Sequence, residues 1–589
     1  VGTTSPEAST ALTPGVAPAA VRPAPRVPRE WRFGGDTMPA DFLPGTSPLL
    51  RRVLWSRRQG IGPDLDTYLS AERAPLHSPA AMKGLSRAVE LVVQSLRAGE
   101  RIAIFGDYDA DGVTATAILH RGLTQLGGDV LTYIPHRLND GYGLSHGGLA
   151  ELWEKGARLV ISCDCGTNSG DVVAGRPAGQ RMIITDHHLP AAEIARPEAL
   201  LNPHQPGCGY PFKDLSGAGV AFKLMEGVVS AVEPGADWLE PLLQLVAIGA
   251  VADVVALQGE NRTLVRRGLR MLEDQPLPGV DALVEVGALK RPMTSTTIAF
   301  QLAPRINAAG RMDDARLALD LLLAPDIEAA RPLAEHLERH NRARRQATDT
   351  ALAEAAERIT TEGAPSSALV MADERWSLGL VGLIAGRLVD EHNMPAFVLN
   401  RGEEESRGSA RSIEGFNVVE ALQSCAHLLR RFGGHEAAAG FACATADLPA
   451  LVDGLQAFAA ARRPEGGWSR LMPVDGEVAI AELTTEAVED LAALEPFGQG
   501  NRPPRFCVRG AQLKAASAFG QQREHLRVWV GDGERVIEAI AWRRGRYVEH
   551  YRRAAQRGDL LDALFAVEVS RWDGDAVVRL ELEDVRRSG

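Results

Sequence analysis

The sequence has few cysteines and few lysines, and each shortage excludes a class of protein. Six cysteines in 589 residues are too few to brace the chain with disulfide bonds, so we expect a reducing, cytoplasmic setting. Only six of the 64 cationic side chains are lysine, and with 76 acids the net charge is −12. This balance excludes a protein that coats nucleic acid over its whole surface, although it is compatible with one basic groove beside an acidic metal centre.

Long apolar runs are also missing. The nearest, residues 242–257, is interrupted by Gln244 and Asp253, so we expect no transmembrane helix and no membrane partner. No cationic segment followed by an apolar core opens the sequence, and no secretory signal is expected. The composition, 45% hydrophobic and 24% charged, is that of a globular protein, and the length predicts about four domains.

Composition and periodicity divide the chain into five predicted segments. Residues 1–28 are rich in Ala, Pro, Thr and Ser and are predicted to be a disordered tail. Residues 29–325 are predicted to form an α/β domain around a parallel sheet, and 326–361 a long connecting helix. Residues 362–467 predict a second α/β domain, and 468–589 a small β-barrel. The predicted fold class is therefore multidomain α/β with a C-terminal barrel.

Three short apolar runs, at 102–105, 159–162 and 182–185, predict buried parallel strands in the first domain. Each run stops at a polar cluster: Gly-Asp-Tyr-Asp, Asp-Cys-Gly or Asp-His-His. Ligands of open α/β sheets bind outside the carboxyl ends of the strands. We therefore expect acids and histidines from three strands to meet at one edge of this sheet.

The densest of these clusters places Asp107, Asp109 and Asp111 at alternate positions directly after a strand. Carboxylates so close together repel one another unless a cation is present. An EF-hand calcium loop begins with the same Asp-x-Asp-x-Asp-Gly pattern, but its twelfth residue should be Glu and is Ile118 here. A solvated acidic turn is the ordinary alternative.

Further ligand types follow the other strands. Asp164 and the run Asp186-His187-His188 each follow an apolar run, so they can converge on the first cluster. Asp253 is an isolated acid in an apolar helical stretch, where we expect it to meet a cation, although a helix cap or a salt bridge is the commoner role. Oxygen ligands with one or two imidazoles suit Mn²⁺ or Mg²⁺ better than a structural zinc.

Several longer segments resemble a known family. Four segments are similar, in order and spacing, to the motifs of the DHH phosphoesterase superfamily: Asp-Tyr-Asp-Ala-Asp-Gly at 107–112, Cys-Asp-Cys-Gly at 163–166, Thr-Asp-His-His at 185–188 and Gly-Ala-Val-Ala-Asp at 249–253. Four more resemble the RecJ single-stranded-DNA exonucleases of that superfamily: Ala-Pro-Arg-Ile-Asn-Ala-Ala-Gly-Arg at 303–311, Gly-Ser-Ala-Arg-Ser at 408–412, Phe-Gly-Gly-His-Glu-Ala-Ala-Ala-Gly at 432–440 and Pro-Phe-Gly-Gln-Gly-Asn at 496–501. The resemblance extends from about residue 50 to the C-terminus.

The resemblance implies a catalytic centre that holds two Mn²⁺ or Mg²⁺ ions. The residues that match the family's metal ligands are Asp109, Asp111, Asp164, His187 and Asp253, with Asp164 bridging the ions. Asp107 and His188 match positions beside the centre that support the ligands or contact phosphate, and His188 is counted with the catalytic set. This assignment rests on the family motifs.

The resemblance also implies a nucleic-acid site. Arg137, Ser409 and Arg411 match residues that hold a 5′-terminal phosphate. A predicted Gly-containing loop carries Arg305, Asn307 and Arg311 toward the backbone of the strand, and bracing of the loop by arginine is the alternative. Gly434 and His435 are predicted to precede an alanine-rich helix whose N-terminus meets a phosphate, and a capping histidine is the alternative. One position departs from the family, since Ser377 stands where a His is usual.

The implied function is degradation of single-stranded DNA from its 5′ end to mononucleotides, in recombination and DNA repair. The implied domains are a DHH domain, a connecting helix, a DHH-associated domain and an OB-fold, with single-strand-binding protein and a RecQ-like helicase as partners. One alternative is a DHH phosphodiesterase of short oligonucleotides or cyclic dinucleotides, whose chains usually lack the OB-fold. The other is a non-catalytic single-stranded-DNA-binding scaffold, in which the metal ligands would have been lost.

Overall fold

The computed structural model describes residues 28–34, 37–61, 65–137, 141, 143–363, 367–571 and 575–588. Apart from residue 28, the predicted N-terminal tail lies outside the described residues. Among the described helices, none combines the length and the apolar character that a membrane crossing requires. All six cysteines are free thiols, as the small cysteine count predicts.

The first described segment packs against the C-terminal domain. It comprises β1 (Arg29–Phe33), α1 (Pro48–Ile61) and α2 (Leu65–Leu69). The strand β1 runs parallel to residues 470–474, and α1 places Leu49 and Val53 in the core of the C-terminal barrel. Residues 29–61 are predicted from the sequence to belong to the first α/β domain. In the structure, β1 and α1 of this stretch pack against the C-terminal domain instead.

The first α/β domain is a five-stranded parallel sheet between helices. Its elements are α3 (Leu85–Ala98), β2 (Ile102–Phe105), α4 (Ala110–Gln125), β3 (Val130–Tyr133), α5 (His146–Glu154), β4 (Leu159–Cys163), α6 (Gly170–Ala174), β5 (Arg181–Thr185), β6 (Ala199–Leu201), α7 (Gly217–Val232), α8 (Leu243–Ala252), α9 (Gly259–Asp274), α10 (Pro278–Val286), α11 (Ser295–Thr297), α12 (Ala303–Met312) and α13 (Arg316–Leu323). The strand order is β3-β2-β4-β5-β6. All residues of β2 and β4 are buried, as expected for a parallel sheet covered on both faces.

The three predicted strands of this domain are confirmed. The strand β2 has the predicted bounds, and β4 and β5 are each one residue longer. Their parallel register pairs Phe105 with Ser162 and Cys163 with Thr185, so the three strands end side by side. The polar clusters that follow them therefore share one edge of the sheet.

The predicted connecting helix is α14 (Ile327–Glu362), which joins the two α/β domains. Asp326 caps it by accepting a 2.8 Å hydrogen bond from the backbone N–H of Ala329. Its first half buries Ala334 and Leu337 in the core of the first domain, and its second half buries Ala355 in the second. One helix therefore contributes to the cores of both domains.

The second α/β domain has a five-stranded mixed sheet of order β10-β11-β9-β8-β7. Its elements are β7 (Leu369–Asp373), α15 (Val381–His392), β8 (Ala396–Asn400), β9 (Glu405–Arg411), α16 (Val418–Ser424), β10 (Leu429–His435), β11 (Ala438–Ala444) and α17 (Leu448–Arg462). The alanine-rich helix predicted after Gly434 and His435 is wrong, because that segment is β11. It lies between two strands and buries Ala439, Phe441 and Cys443, so sheet context overrides the helix propensity of alanine.

The C-terminal domain is a closed five-stranded barrel of the OB type, which confirms the predicted barrel. The elements of this domain are β12 (Arg470–Val474), β13 (Gly476–Glu477), α18 (Thr485–Glu489), β14 (Phe506–Phe519), β15 (His525–Gly531), β16 (Val536–Ala541), α19 (Val548–Arg557), β17 (Leu560–Ser570) and β18 (Val577–Arg587). The barrel strands follow the order β14-β15-β16-β18-β17, and pairing of β17 with β14 closes the ring.

A buried carboxylate joins this barrel to the start of the chain. Asp475 binds the guanidinium groups of Arg57, on α1, and Arg502, with N–O distances of 2.7–2.9 Å. Its side chain is fully buried. Burial alone would raise the pKa of Asp475, but the hydrogen bond and charge of Arg57 outweigh it and lower that pKa.

Candidate metal centre and nucleic-acid interface

The turn after β2 packs its acids tightly against the start of α4. Asp109 caps α4, because its Oδ1 accepts hydrogen bonds from the N–H groups of Asp111 and Gly112 at 3.0 and 3.1 Å. A Cβ atom at Gly112 would lie 2.6 Å from the Cβ of Asp107. The glycine of this motif is therefore required by the close approach of Asp107, which is itself buried.

Asp111 is held from the opposite side by the N-terminus of α7. Its carboxylate accepts hydrogen bonds from the N–H groups of Gly217, at 2.6 Å, and Ala218, at 3.0 Å. Burial and the charge of Asp109 nevertheless raise the pKa of Asp111 to about 7. The hydrogen bonds fix the carboxylate in place without compensating its charge fully.

Asp164, His187 and Asp253 complete the cluster. Asp164 follows β4 with φ of 61°, a left-handed conformation that a non-glycine residue rarely adopts. The Nε2 atom of His187 lies 3.1 Å from Asp164, 3.6 Å from Asp253 and 4.0 Å from Asp111, measured to carboxylate oxygens. Asp253 is the C-cap of α8, so it reaches the centre from a helix end. Four elements thus aim polar atoms at one point.

The arrangement of these atoms suits binding of a metal ion better than hydrogen bonding between the side chains. Nε2 of His187 and Oδ1 of Asp164 are buried and have no partner with hydrogen-bond geometry, despite their 3.1 Å separation. Two ligands on an ion with bonds of about 2.1 Å stand roughly 3.0–3.5 Å apart, and the 3.1 Å between His187 and Asp164 falls in that range. A hydrogen bond between the His187 ring and the Leu215 backbone helps to hold the ring in this orientation.

The electrostatics of the cluster also favour a cation. Burial, followed by the charge of neighbouring acids, raises the pKa of Asp107 and Asp164 well above the usual range and that of Asp253 to about 8. Burial and the charge of His188 lower the pKa of His187 to about 4, so its ring is neutral and able to bind a metal. A bound cation would relieve the repulsion among the acids.

The ligand atoms fall into overlapping groups. Asp107, Asp109 and Asp164 offer donor atoms within 4.8 Å of one another, and so do Asp111, His187 and Asp253. A third group joins Asp164 and His187 to His188. The structure thus brings all six predicted catalytic residues together and places Asp107, expected only nearby, within reach of an ion.

One organising residue was not assigned a role from the sequence. Asp186 accepts hydrogen bonds from the backbone N–H groups of His187, at 2.7 Å, and Thr167, at 2.8 Å, and it pairs at 2.8 Å with Nδ1 of His188. Burial would lower the pKa of His188, but the hydrogen bond with Asp186 outweighs it and raises that pKa to about 9. Asp186 therefore orients both histidines, and its place in the Asp-His-His motif was the available signal.

A cluster of arginines lies beside the acids. Arg137 stacks 4.8 Å from the ring centre of Tyr108, the residue between Asp107 and Asp109. Burial and the charge of Arg137 lower the pKa of Arg311 to about 10, and they also lower the pKa of Arg411. Three cations that destabilise one another favour a bound anion, just as the acids favour a cation.

Ser409 and Arg411 reach this cluster from β9 of the second domain. Arg411 donates a 2.8 Å hydrogen bond to the Ser409 hydroxyl, and a Cβ atom at Gly382 would lie 3.2–3.3 Å from both side chains. Both side chains therefore face the first turn of α15. The backbone carbonyl of Ser377, the position that departs from the family, accepts hydrogen bonds from the N–H groups at the start of that helix.

Gly434 and His435 lie in the hairpin next to Arg411. His435 and Arg411 both pair with Ala438, from opposite sides of β11, and His435 is exposed. Gly434 has φ of 145°, and a Cβ atom there would lie 2.4 Å from the carbonyl oxygen of Ala438. The predicted helix N-terminus is absent from this described hairpin, so any phosphate contact would come from the exposed hairpin itself.

The predicted Gly-containing loop at 303–311 is a helix, α12, and this corrects the prediction. Asn307 on α12 accepts a 2.9 Å hydrogen bond from the N–H of Ala110, so it braces the acidic turn. Arg305 is buried in a 2.7 Å ion pair with Glu338 of α14. Arg311, by contrast, belongs to the arginine cluster. The structure brings two of these three residues to the centre and leaves Arg305 as a brace.

A cavity of about 470 Å³ opens beside the centre, between both α/β domains and the start of the barrel domain. It is mostly apolar, and its lining includes Val254, Phe300, Asn307, Arg311 and Phe497. Phe300 is 77% exposed and lies in a π-helical turn between α11 and α12. Such turns are rare and often occur at functional sites.

Carboxylates and a histidine meet at the carboxyl edge of a parallel sheet, beside Arg137 and Arg311 of the same domain and Arg411 of a second α/β domain. This arrangement defines the class of DHH phosphoesterases. Three family models match in that order: the DHH family, N-terminal domain at residues 101–250, the DHHA1 domain at 366–461 and the RecJ OB domain at 474–584.

Individual relatives narrow this class. The chain is 32% identical to the single-stranded-DNA-specific exonuclease RecJ of Bacillus subtilis, over 91% of this chain and 68% of the relative. It is 34% identical to that of Salmonella typhimurium, over 92% and 93%. The structure of RecJ with Mn²⁺ from Thermus thermophilus superposes with a TM-score of 0.79 at 29% identity, covering 95% of this chain and 80% of that one. The chain belongs to the RecJ family.

Proposed function

We propose that this chain is a metal-dependent exonuclease that removes mononucleotides from the 5′ end of single-stranded DNA. The observation that carries the proposal is the contact between the arginine cluster and the acidic centre through Tyr108. If Arg137, Arg311 and Arg411 hold a terminal phosphate, the next phosphodiester along the strand lies at the acids. Cleavage at that phosphodiester would release one nucleotide from the 5′ end at each cut.

The donor set supports two divalent ions. Asp164 belongs both to the group with Asp107 and Asp109 and to a group with His187, so it would be able to contribute to both ion sites. Oxygen-rich sites with one imidazole suit Mn²⁺, and Mg²⁺ less well. RecJ from T. thermophilus has been solved with each of these ions. When bound, such ions supply Lewis-acid activation of water and stabilise charge on the scissile phosphate.

The protein's own groups position the substrate. His188 carries a pKa of about 9 and is therefore cationic at neutral pH, close to Asp107 and Asp253, where it can meet a phosphate oxygen. The arginines supply forked donors that match a terminal phosphate. Asp186 keeps His188 charged and oriented. The electrostatic contribution of these groups is largest in a site that excludes water.

The cavity beside the centre supports a preference for single strands. It is bounded by three domains, and its exposed Phe300 offers a face on which an unpaired base can stack. The OB barrel beyond Phe497 would deliver the strand to it. A role in recombination and repair in the cytoplasm, beside single-strand-binding protein and a RecQ-like helicase, is part of the same proposal.

The test is digestion of a labelled strand in Mn²⁺ with 5′-phosphate, 5′-hydroxyl and duplex substrates. We expect mononucleotides from the 5′ end of the single strand, no cleavage with Asp164→Asn, and a lost preference for 5′-phosphate with Arg411→Gln. Arg407→Gln, on the same strand β9 but paired at the surface with Glu405, is the matched control.

Three outcomes would contradict the proposal. Release from the 3′ end would reverse the polarity. Cleavage of dinucleotides while long strands stay intact would place the protein among short-oligonucleotide phosphodiesterases. Binding of single strands without cleavage in either Mn²⁺ or Mg²⁺ would indicate a scaffold.

A further inference from the structure

A second cluster of metal-binding side chains lies on the connecting helix. Its members are His336 and His340, one turn apart on α14, and Asp313, the C-cap of α12. Histidines four residues apart share one face of a helix. The two rings stack with centroids 4.6 Å apart and planes inclined by 23°. The three residues offer donor atoms within 4.8 Å of one another.

The spacing in this cluster is that of ligands rather than of a hydrogen bond. Nε2 of His340 lies 3.6 Å from Oδ2 of Asp313, which is too long for a hydrogen bond. That Nε2 atom is itself buried and has no hydrogen-bond partner among the described residues. A buried nitrogen without a partner is costly. Two ligands on a tetrahedral ion with bonds of about 2.1 Å stand roughly 3.4 Å apart, close to the observed spacing.

We propose that Asp313, His336 and His340 form a zinc site separate from the catalytic centre. Two imidazoles and one carboxylate, with water in the fourth position, form a donor set that zinc accepts and Mg²⁺ does not favour. Burial and the neighbouring His336 lower the pKa of His340, which keeps the ring in its neutral, metal-binding form. Asp313 is exposed, so the site opens to solvent and an ion can enter.

The proposed zinc site lies next to a residue of the arginine cluster. Asp313 is two residues beyond Arg311, a member of the arginine cluster, and its φ of −154° and ψ of −123° end the helix. An ion on these three ligands would tie the C-terminal end of α12 to α14. The zinc site would therefore restrain the end of the helix that carries Arg311, without contacting substrate or the catalytic metals.

The test counts zinc in the full chain. After equilibrium dialysis against buffered zinc, we expect the His336→Gln/His340→Gln protein to hold one zinc per chain fewer than the wild type. His427→Gln, which removes an exposed histidine in the second α/β domain, should leave the count unchanged. Zinc should also slow amide hydrogen exchange in residues 303–313 of the wild type, and not in the double variant.

An exposed-position variant keeps the test decisive if the double variant folds poorly. Asp313→Asn removes only a surface carboxylate, and we expect it to weaken the same zinc equivalent at least tenfold. An equal zinc count in wild type and both variants would overturn the proposal. So would zinc-dependent protection of residues 303–313 that persists when the two histidines are gone.

Discussion

Removing one acid from the metal centre should make the metal-free protein more stable. In Asp253→Asn, the amide keeps the shape of the side chain and removes its charge from the repulsion among Asp111, Asp109 and Asp107. Burial and these neighbours raise the pKa of Asp253 from 3.8 to about 8. Since each tenfold change in proton affinity is worth about 1.4 kcal/mol, ionising this group alone at pH 8 would cost roughly 5 kcal/mol.

The expected gain is smaller than this figure because the acids titrate together. When one charge is removed, the remaining groups adjust, so we expect about 2 kcal/mol of stabilisation and a rise in melting temperature of roughly 5 °C at pH 8 in EDTA. The folded-state pKa lies above the unfolded one, so the stability that Asp253 contributes is present below about pH 4 and is lost as the pH rises toward 8. The gain from Asp253→Asn should therefore vanish near pH 4 and be largest above pH 8.

Thermal unfolding followed by circular dichroism at pH 4, 6 and 8 measures this dependence. Asp274→Asn is the control, because its carboxylate is half-exposed and paired with Arg270 at the surface, where an ion pair contributes little. With Mn²⁺ in place of EDTA, the order should reverse, since the wild type binds the ion more tightly. If Asp253→Asn melts at or below the wild-type temperature at pH 8 in EDTA, the view of the centre as crowded, uncompensated charge is refuted.

Three further predictions concern other parts of the structure. Asp186→Asn should leave the fold intact but weaken Mn²⁺ binding 10- to 100-fold, because His187 and His188 lose the carboxylate that orients them. Calorimetric titration with Mn²⁺ measures the affinity, and an unchanged affinity would contradict the prediction. Phe300→Ala should raise KM for single-stranded DNA about 5- to 30-fold with little change in kcat, because it loses a stacking contact of about 1–2 kcal/mol. A pure loss of kcat would argue against stacking. Asp475→Ala should destabilise the barrel domain by about 3–5 kcal/mol, because it leaves Arg57 without its buried partner. Chemical denaturation measures this free energy of unfolding, and a loss below about 1 kcal/mol would contradict the role of this ion pair.

The sheet edge could be predicted from sequence because its signal is local. Short apolar runs that stop at acids give both the strand and the position of its polar end, and β2, β4 and β5 match those runs to within one residue. A parallel sheet then brings such ends together whatever the order of the strands. The acids at 107–111, Asp164 and His187 thus met as expected.

The errors arise where one residue type serves two physical purposes. Gly310 suggested a loop at 303–311, yet it lies inside α12, where a Cβ atom would approach the carbonyl oxygen of Tyr108 to 2.7 Å. That glycine permits close packing rather than a turn. The alanines of β11 suggested a helix for a similar reason, since small residues suit both a helix and a tightly flanked strand.

Local sequence patterns could predict neither the role of Asp186 nor the packing partner of residues 29–61. The role of Asp186 depends on the direction of its oxygens, which spacing does not give. The pairing of β1 with β12 joins Arg29 to Arg470, segments about 440 residues apart in the sequence. Neither a hydrophobic period nor a motif carries information about such a partner.

That pairing sets an order of events during synthesis. Arg29 pairs with Arg470, so β1 leaves the ribosome about 440 residues before its partner exists, an interval of roughly 20–90 s at ordinary elongation rates. The apolar face of α1, with Leu49 and Val53, stays exposed until the barrel residues 478–582 have also been made. Both α/β domains can be complete before β1 and α1 reach their partners. The barrel therefore closes after both α/β domains, and β1 and α1 fold into place only then.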